Sequence, residues 1–154
     1  LQISGQVTFL GYLPAETLPV MLTAADIFLM PSPEELQSIA TLEALATGRP
    51  IIAANARALP ELVEHGVNGY CFRPGDAADL ARRIQTLLAD PGQRRAMGAA
   101  SLARARTHDI TVTVQHYAGV YGRLSGARLR RPAGARPAEA PRNPQSKPER
   151  LPPH

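Results

Sequence analysis

The sequence predicts an α/β fold, a doubly wound parallel sheet with helices following toward its C-terminal end. Three observations carry that expectation. The runs Asp26-Ile27-Phe28-Leu29-Met30 and Pro50-Ile51-Ile52-Ala53-Ala54 are apolar almost without interruption, as strands buried on both faces of a parallel sheet are. The stretches that follow them are helix-like and stop at glycines, Gly48 and Gly66. Strand and helix alternate along the chain, and parallel neighbours joined this way require right-handed crossovers.

Each element has its own local reason. Val7-Thr8-Phe9-Leu10 is a short β-rich run closed by Gly11. Glu16 to Ala25 reads as a helix with Leu18, Met21 and Leu22 on one face, and Pro19 is tolerated in its first turn. After the Asp26–Met30 strand, a polar loop from Ser32 to Gln37 leads into a helix from about Ser38 to Thr47. Behind the second buried strand, Ala58 to His65 forms a short helix. Val67 to Phe72 then gives a short strand with Asn68-Gly69 at its turn. Three helices follow, Asp76–Ala89, Gln93–Thr107 and Ile110–Leu124, with Asp76 and Asp109 as N-caps of the first and third. No internal repeat is visible.

Composition bounds the function. The chain has 154 residues, one cysteine and no tryptophan, enough for one core and too few cysteines for a disulfide scaffold. No run of 18 apolar residues exists, which excludes a membrane-spanning helix. The chain opens at Leu1 rather than methionine, without a signal peptide, and we read it as a piece of a longer cytoplasmic protein. The formal charge of +4 is unevenly placed. Residues 127–154 hold seven basic residues against two acidic ones, while residues 1–126 hold ten against eleven. That last stretch also contains seven of the fifteen prolines and no aromatic or β-branched residue. It cannot bury enough surface to offset chain entropy, so it is expected to be a disordered tail on a 1–126 domain. No aromatics interleave with its arginines, which argues against nucleic acid. A weak attraction to anionic lipid, at the inner face of a membrane, is the minor reading.

The chemistry concentrates after the first buried strand, where open parallel sheets bind ligands. In the helix Ser38–Gly48 the charged residue is Glu43, on the shoulder of an apolar face formed by Ile39, Leu42, Leu45 and Ala46. A helix so poor in charge is expected to be covered on most sides, where a carboxylate costs several kcal/mol unless donors satisfy it. Glu35 lies at the mouth of that helix, whose first-turn N–H groups and dipole make an anion site. One stretch thus offers a hydroxyl acceptor, a phosphate cradle and a second hydroxyl acceptor. A sugar linked through a diphosphate to a ribose has that order of groups. A loop charge and an exposed helix residue would also account for the pair.

The pattern Pro31-Ser32-x-x-Glu35, seven residues, Glu43-Ala44, then Ala46-x-Gly48-x-Pro50-Ile51-Ile52-Ala53 resembles the signature of family 4 (group 1) retaining glycosyltransferases of the GT-B fold. Val7-x-Phe9-x-Gly11, Ala24-Ala25-Asp26-Ile27-Phe28-Leu29, Leu59-Pro60-Glu61-Leu62-Val63 and Gly66-Val67-Asn68-Gly69 agree in order and spacing, so the likeness covers residues 7 to about 124. The resemblance implies the Rossmann-like C-terminal half of such an enzyme, the half that binds a nucleotide-sugar donor. It implies Glu35 on hydroxyls of the transferred sugar, as the residue nearest the reaction, and Glu43 on the ribose. It also implies the amides of Leu36, Gln37 and Ser38 on the diphosphate, and Gly11-Tyr12-Leu13 against the base. It implies no cofactor and no metal, the nucleotide-diphosphate sugar being substrate, and a lipid or glycan acceptor. Two departures stand out. Leu36-Gln37-Ser38 replaces the small and aromatic residues common there, and the amino-terminal acceptor domain and the basic pair that neutralises the diphosphate are both missing. We therefore expect the fragment to transfer no sugar by itself. A nucleotide-sugar epimerase or phosphorylase of the same fold, and a non-enzymatic nucleotide-binding remnant, are the alternatives.

The remaining residues receive plainer readings. His65 is expected to meet a helix C-terminus, His108 and His116 to be solvated or capping, and Cys71 to be a core thiol. Arg82-Arg83 and Arg94-Arg95 are expected to be surface pairs, and Tyr117 and Tyr121 to share a face of the last helix.

Overall fold

The computed structural model describes residues 3–124; the predicted tail at 127–154 lies outside them. Three parallel strands form one sheet in the order β1-β2-β3: β1 (Phe28–Met30), β2 (Ile51–Ala54) and β3 (Gly69–Phe72). Phe28 pairs with Ile51 and Ile51 with Gly69, so the register runs straight across the sheet. The α/β class with a parallel sheet is as the alternation predicts. Around it lie α1 (Leu18–Ala24), α2 (Ile39–Ala46), α3 (Leu59–Leu62), α4 (Ala77–Ala89) and α5 (Pro91–Arg106). The chain divides into two units at Val114, and α6 (Ile110–Leu124) crosses that division. No helix among the described residues is long and apolar enough to cross a membrane.

β2 is the centre of the core. All four of its residues are buried, as its unbroken apolar run predicts, and Leu45, Leu59, Val63, Leu87 and Met97 close around it. Burying five such side chains contributes about 1.5–3 kcal/mol each. α2 reaches the core by packing on α5 at very short range. Gly48, with φ of +70°, ends α2, and a Cβ at Gly98 of α5 would stand 2.3 Å from the Gly48 carbonyl oxygen. Only hydrogen fits there.

The two outer strands differ from expectation and from each other. β3 has a closed outer edge: Gly66 N–H donates to Gly69 C=O (2.8 Å), Cys71 N–H to His65 Nδ1 (3.1 Å) and Arg73 N–H to Asp79 Oδ2 (3.0 Å). His65 is therefore an edge cap rather than a helix-end partner, because α3 stops three residues earlier, at Leu62. β1 is only half-buried, with Leu29 at 42% exposure, instead of covered on both faces. The β-rich run Val7–Leu10 forms no strand and Phe9 is 94% exposed. Its propensity has nothing to act on, since strands exist by pairing and no strand of the sheet lies beside it.

The helix caps follow the sequence. Asp76 Oδ1 accepts from Asp79 N–H (2.9 Å) and Asp109 Oδ1 from Thr111 N–H (2.7 Å). α5 begins earlier than its periodicity suggests, because Asp90 caps it (2.9 Å to Gln93 N–H) and Pro91 fits its first turn. The Arg73 N–H donated to Asp79, with the Arg82 and Arg83 guanidinium groups alongside, holds that carboxyl below the usual range. Partial burial pushes the Cys71 thiol up, and its Sγ lies 3.3 Å from the Val63 carbonyl oxygen; the residue is half-buried and packs against the core rather than within it.

Candidate donor site

The site is built where β1 hands the chain to α2. Ser38 is buried at the N-cap position in extended backbone. Its hydroxyl accepts from Thr41 N–H (3.3 Å) and lies 2.8 Å from Thr41 Oγ1. That local pair lets a threonine sit in the core without an unsatisfied hydroxyl. It also fixes where the helix starts. Before the cap, Leu36 and Gln37 form an exposed bend.

Five successive amides are left without an acceptor by this arrangement. Among the described residues, the N–H groups of Leu36, Gln37, Ser38, Ile39 and Ala40 find no intramolecular acceptor. The last two belong to the first turn of α2, where the helix supplies none and its dipole adds positive character. Glu35 stands immediately before them, half-buried, with its carbonyl accepting from Ala58 N–H at 3.2 Å. This bond ties the loop after β1 to the loop after β2.

Glu43 lies five residues beyond the cap, about 7 Å along the axis. The covered face of α2 is Thr41, Ala44 and Leu45, with Leu42 half-buried. Ile39 (65% exposed) and Ala46, expected on the apolar face, point to solvent with Ala40 and Glu43. The helix is rotated from its apolar stripe: Ser38 satisfies the Thr41 hydroxyl on the covered side, and α2 packs on α5. Glu43 accordingly keeps its hydration, and the cost of a covered carboxylate does not arise. It lines a cleft of about 340 Å³ with Leu18, Pro19, Leu22, Ala46 and Thr47. The cleft is otherwise almost wholly apolar and is roomy enough for a planar ring beside a carboxylate.

Gly11 has φ of +64°, a conformation that turns the chain out of the Val7–Leu10 run. Tyr12 is 91% exposed and Leu13 half-buried. Two residues further on, Ala15 enters the wall of the Glu43 cleft, so this loop approaches the site from the α1 side.

Several charged residues carry roles that no sequence pattern announces. Arg57 follows β2 with φ of +50° and pairs with Glu34 Oε2 at 3.2 Å. Its place just past a strand's carboxyl end is shared by many loop residues, so no residue pattern singles it out. Arg94 is no plain surface residue: it donates to the Leu87 (2.6 Å) and Leu88 (2.8 Å) carbonyls and pairs with Asp26. Arg49 likewise holds the Ala25 (2.9 Å) and Thr47 (3.2 Å) carbonyls. Among the described residues no cluster of three or more His, Cys, Asp or Glu side chains is arranged to hold a metal ion.

Known proteins share this fold. The family model described as "Glycosyl transferases group 1" matches residues 1–104. Sulfoquinovosyl transferase SQD2 of Arabidopsis thaliana is 33% identical over 104 residues, covering 66% of this chain and 20% of that protein. D-inositol 3-phosphate glycosyltransferase of Corynebacterium kroppenstedtii is 34% identical over 121 residues, covering 79% and 27%. Among solved structures, sucrose-phosphate synthase from Thermosynechococcus elongatus superposes with a TM-score of 0.74 at 31% identity, over 82% of this chain and 32% of that one. Anabaena HepE in complex with UDP gives 0.68 at 30%, over 80% and 33%. The chain thus spans about a fifth to a third of the length of these relatives.

Proposed function

The chain belongs to the group 1 glycosyltransferase family, and from that premise we propose that it is the donor-binding part of a retaining enzyme that moves a sugar from a nucleotide diphosphate to an acceptor hydroxyl. The observation that carries this reading is the row of five open amides, Leu36 to Ala40, with Glu35 at one end and the Glu43 cleft at the other. Preorganised donors at a diphosphate stabilise the charge that develops as it leaves, which in most enzymes is the largest single contribution to rate. Glu35 orients the hydroxyls of the transferred sugar. Glu43 accepts from the ribose hydroxyls, and the apolar cleft beside it takes the base, approached by Gly11-Tyr12-Leu13. The acceptor, lipid or glycan, binds on a domain supplied by other parts of a longer protein. A similar structure, HepE, is described in complex with UDP and with UDP-glucose, which supports this class of ligand.

Binding is the direct test. The 154-residue chain should bind one of UDP, GDP or ADP and should turn over no UDP-glucose by itself. Glu43→Ala should weaken nucleotide binding at least about tenfold, since a hydrogen bond to a charged group contributes about 1.5–3 kcal/mol. A loss below about threefold contradicts the ribose role. Turnover by the chain alone contradicts the division of labour.

A further inference from the structure

The candidate site contains a charge problem. A diphosphate laid along the open amides meets Glu34 and Glu35, two adjacent carboxylates, and like charges repel it. Arg49 and Arg94 offer no remedy, because both guanidinium groups are held on backbone carbonyls. Arg57 is placed differently. It follows the carboxyl end of β2, and its neighbour Ala58 donates to the Glu35 carbonyl. Its guanidinium stands 3.2 Å from Glu34 Oε2, in a pair whose side chains are 57% and 73% exposed.

The backbone makes the placement deliberate. Arg57 holds φ of +50°, a region that a Cβ-bearing residue rarely enters and that glycine enters freely. The turn is pinned on both sides, by Ala56 N–H on the Ala54 carbonyl (2.9 Å) and by the Ala58 bond. A strained residue at the carboxyl ends of the strands, bearing a planar fork of donors, suits recognition of a phosphate rather than stability.

We propose that Arg57 binds the diphosphate of the donor, and that Glu34 is a competing anion which the phosphate displaces. The proposal rests on the donor-site reading above. An exposed ion pair is weak enough to exchange, whereas an arginine–phosphate pair gains two parallel charge-assisted bonds. Arg57 thereby supplies positive charge at the site, opposite the carboxylates of Glu34 and Glu35.

The test titrates the 154-residue chain with UDP and with uridine, following both by NMR. Arg57→Gly should weaken UDP about 5- to 20-fold, at or below the lower end of a charged hydrogen bond because the side chain is exposed and gives up its Glu34 pair on binding, and leave uridine within about twofold. Its melting temperature should stay equal or rise, because glycine relieves the strain. Arg57→Asn, which also accepts the left-handed region, should reproduce the loss without the flexibility of glycine. Glu34→Gln should tighten UDP by about 1.5- to 5-fold by removing the competitor. Unchanged UDP binding in both Arg57 variants overturns the proposal and leaves the donor site standing. Equal losses for UDP and uridine overturn it in favour of a loop-shaping role. A wild-type chain that binds none of UDP, GDP and ADP overturns the donor-site reading and this proposal with it.

Discussion

The two faces of α2 obey opposite rules. One face, Thr41, Ala44 and Leu45, is buried, and just past the end of this helix the Gly48 carbonyl approaches Gly98 of α5 so closely that only a hydrogen fits there. The other, Ile39, Ala40, Glu43 and Ala46, is open to solvent along the full helix. Packing energy alone would have put Ile39 inside and Thr41 outside. The reverse arrangement shows that the position of this helix is set by its cap and by the close approach to α5. The open face is then free to carry chemistry: the amides at its mouth, the cleft along its side. A site built this way is rigid from behind and accessible in front.

The contact with α5 offers the largest effect. Gly98→Ala brings a Cβ to 2.3 Å from the Gly48 carbonyl oxygen, a distance that backbone cannot yield without separating the helices. Alanine improves helix propensity by about 1 kcal/mol, and overpacking of a close contact costs about 1–3 kcal/mol or more. Overpacking wins. The variant should unfold at lower denaturant by a net amount on the order of 1–2 kcal/mol, measured from urea midpoints with an unchanged slope. Equal or greater stability would show that α2 and α5 are not in rigid contact, and the tight face would lose its meaning.

The cap sharpens the same comparison at intermediate scale. Ser38→Ala removes the acceptor for Thr41 N–H and leaves the buried Thr41 hydroxyl without the partner 2.8 Å away. A lost cap and an orphaned hydroxyl together should cost about 1–2 kcal/mol. Because the cap also fixes the row of amides, the variant should bind UDP less tightly while uridine changes little. If stability falls and UDP binding does not, the amides are not set by the cap.

The contrast explains how much is legible in the chain. The strands Ile51–Ala54 and Gly69–Phe72 are readable from their short apolar runs, and the caps at Asp76 and Asp109 because each depends on residues within a few positions. The covered face of α2 is not, since Thr41 becomes a core residue only once Ser38 satisfies its hydroxyl and Gly98 lets α5 approach from more than fifty residues away. Val7–Leu10 misleads for a related reason: its β-propensity is real, but a strand needs a neighbour that local sequence cannot supply. His65 reads as a helix-end residue from its place before Gly66, yet α3 stops three residues short of it and it caps the edge of β3 instead. Glu35 and Glu43 are legible as a spaced pair. Arg57 is not, because what marks it is a backbone angle and not a residue pattern.

The smallest expected effect tests the open face itself. Ile39 is 65% exposed at the first position of α2, so an aliphatic side chain there gains little from burial. Ile39→Lys should change stability by no more than about 0.5 kcal/mol, the range of surface substitutions, with the slightly better helix propensity of lysine set against the lost apolar contact and a screened repulsion from the helix dipole. The charge does have a reach. A lysine at the helix mouth adds a cation beside the open amides, and UDP should bind somewhat more tightly, with the gain shrinking as salt rises. A loss above about 1 kcal/mol would mean that Ile39 is covered in solution. If that loss grew with protein concentration, the cover would be a second copy of the chain, and the open face of α2 would be an interface before it is a binding site.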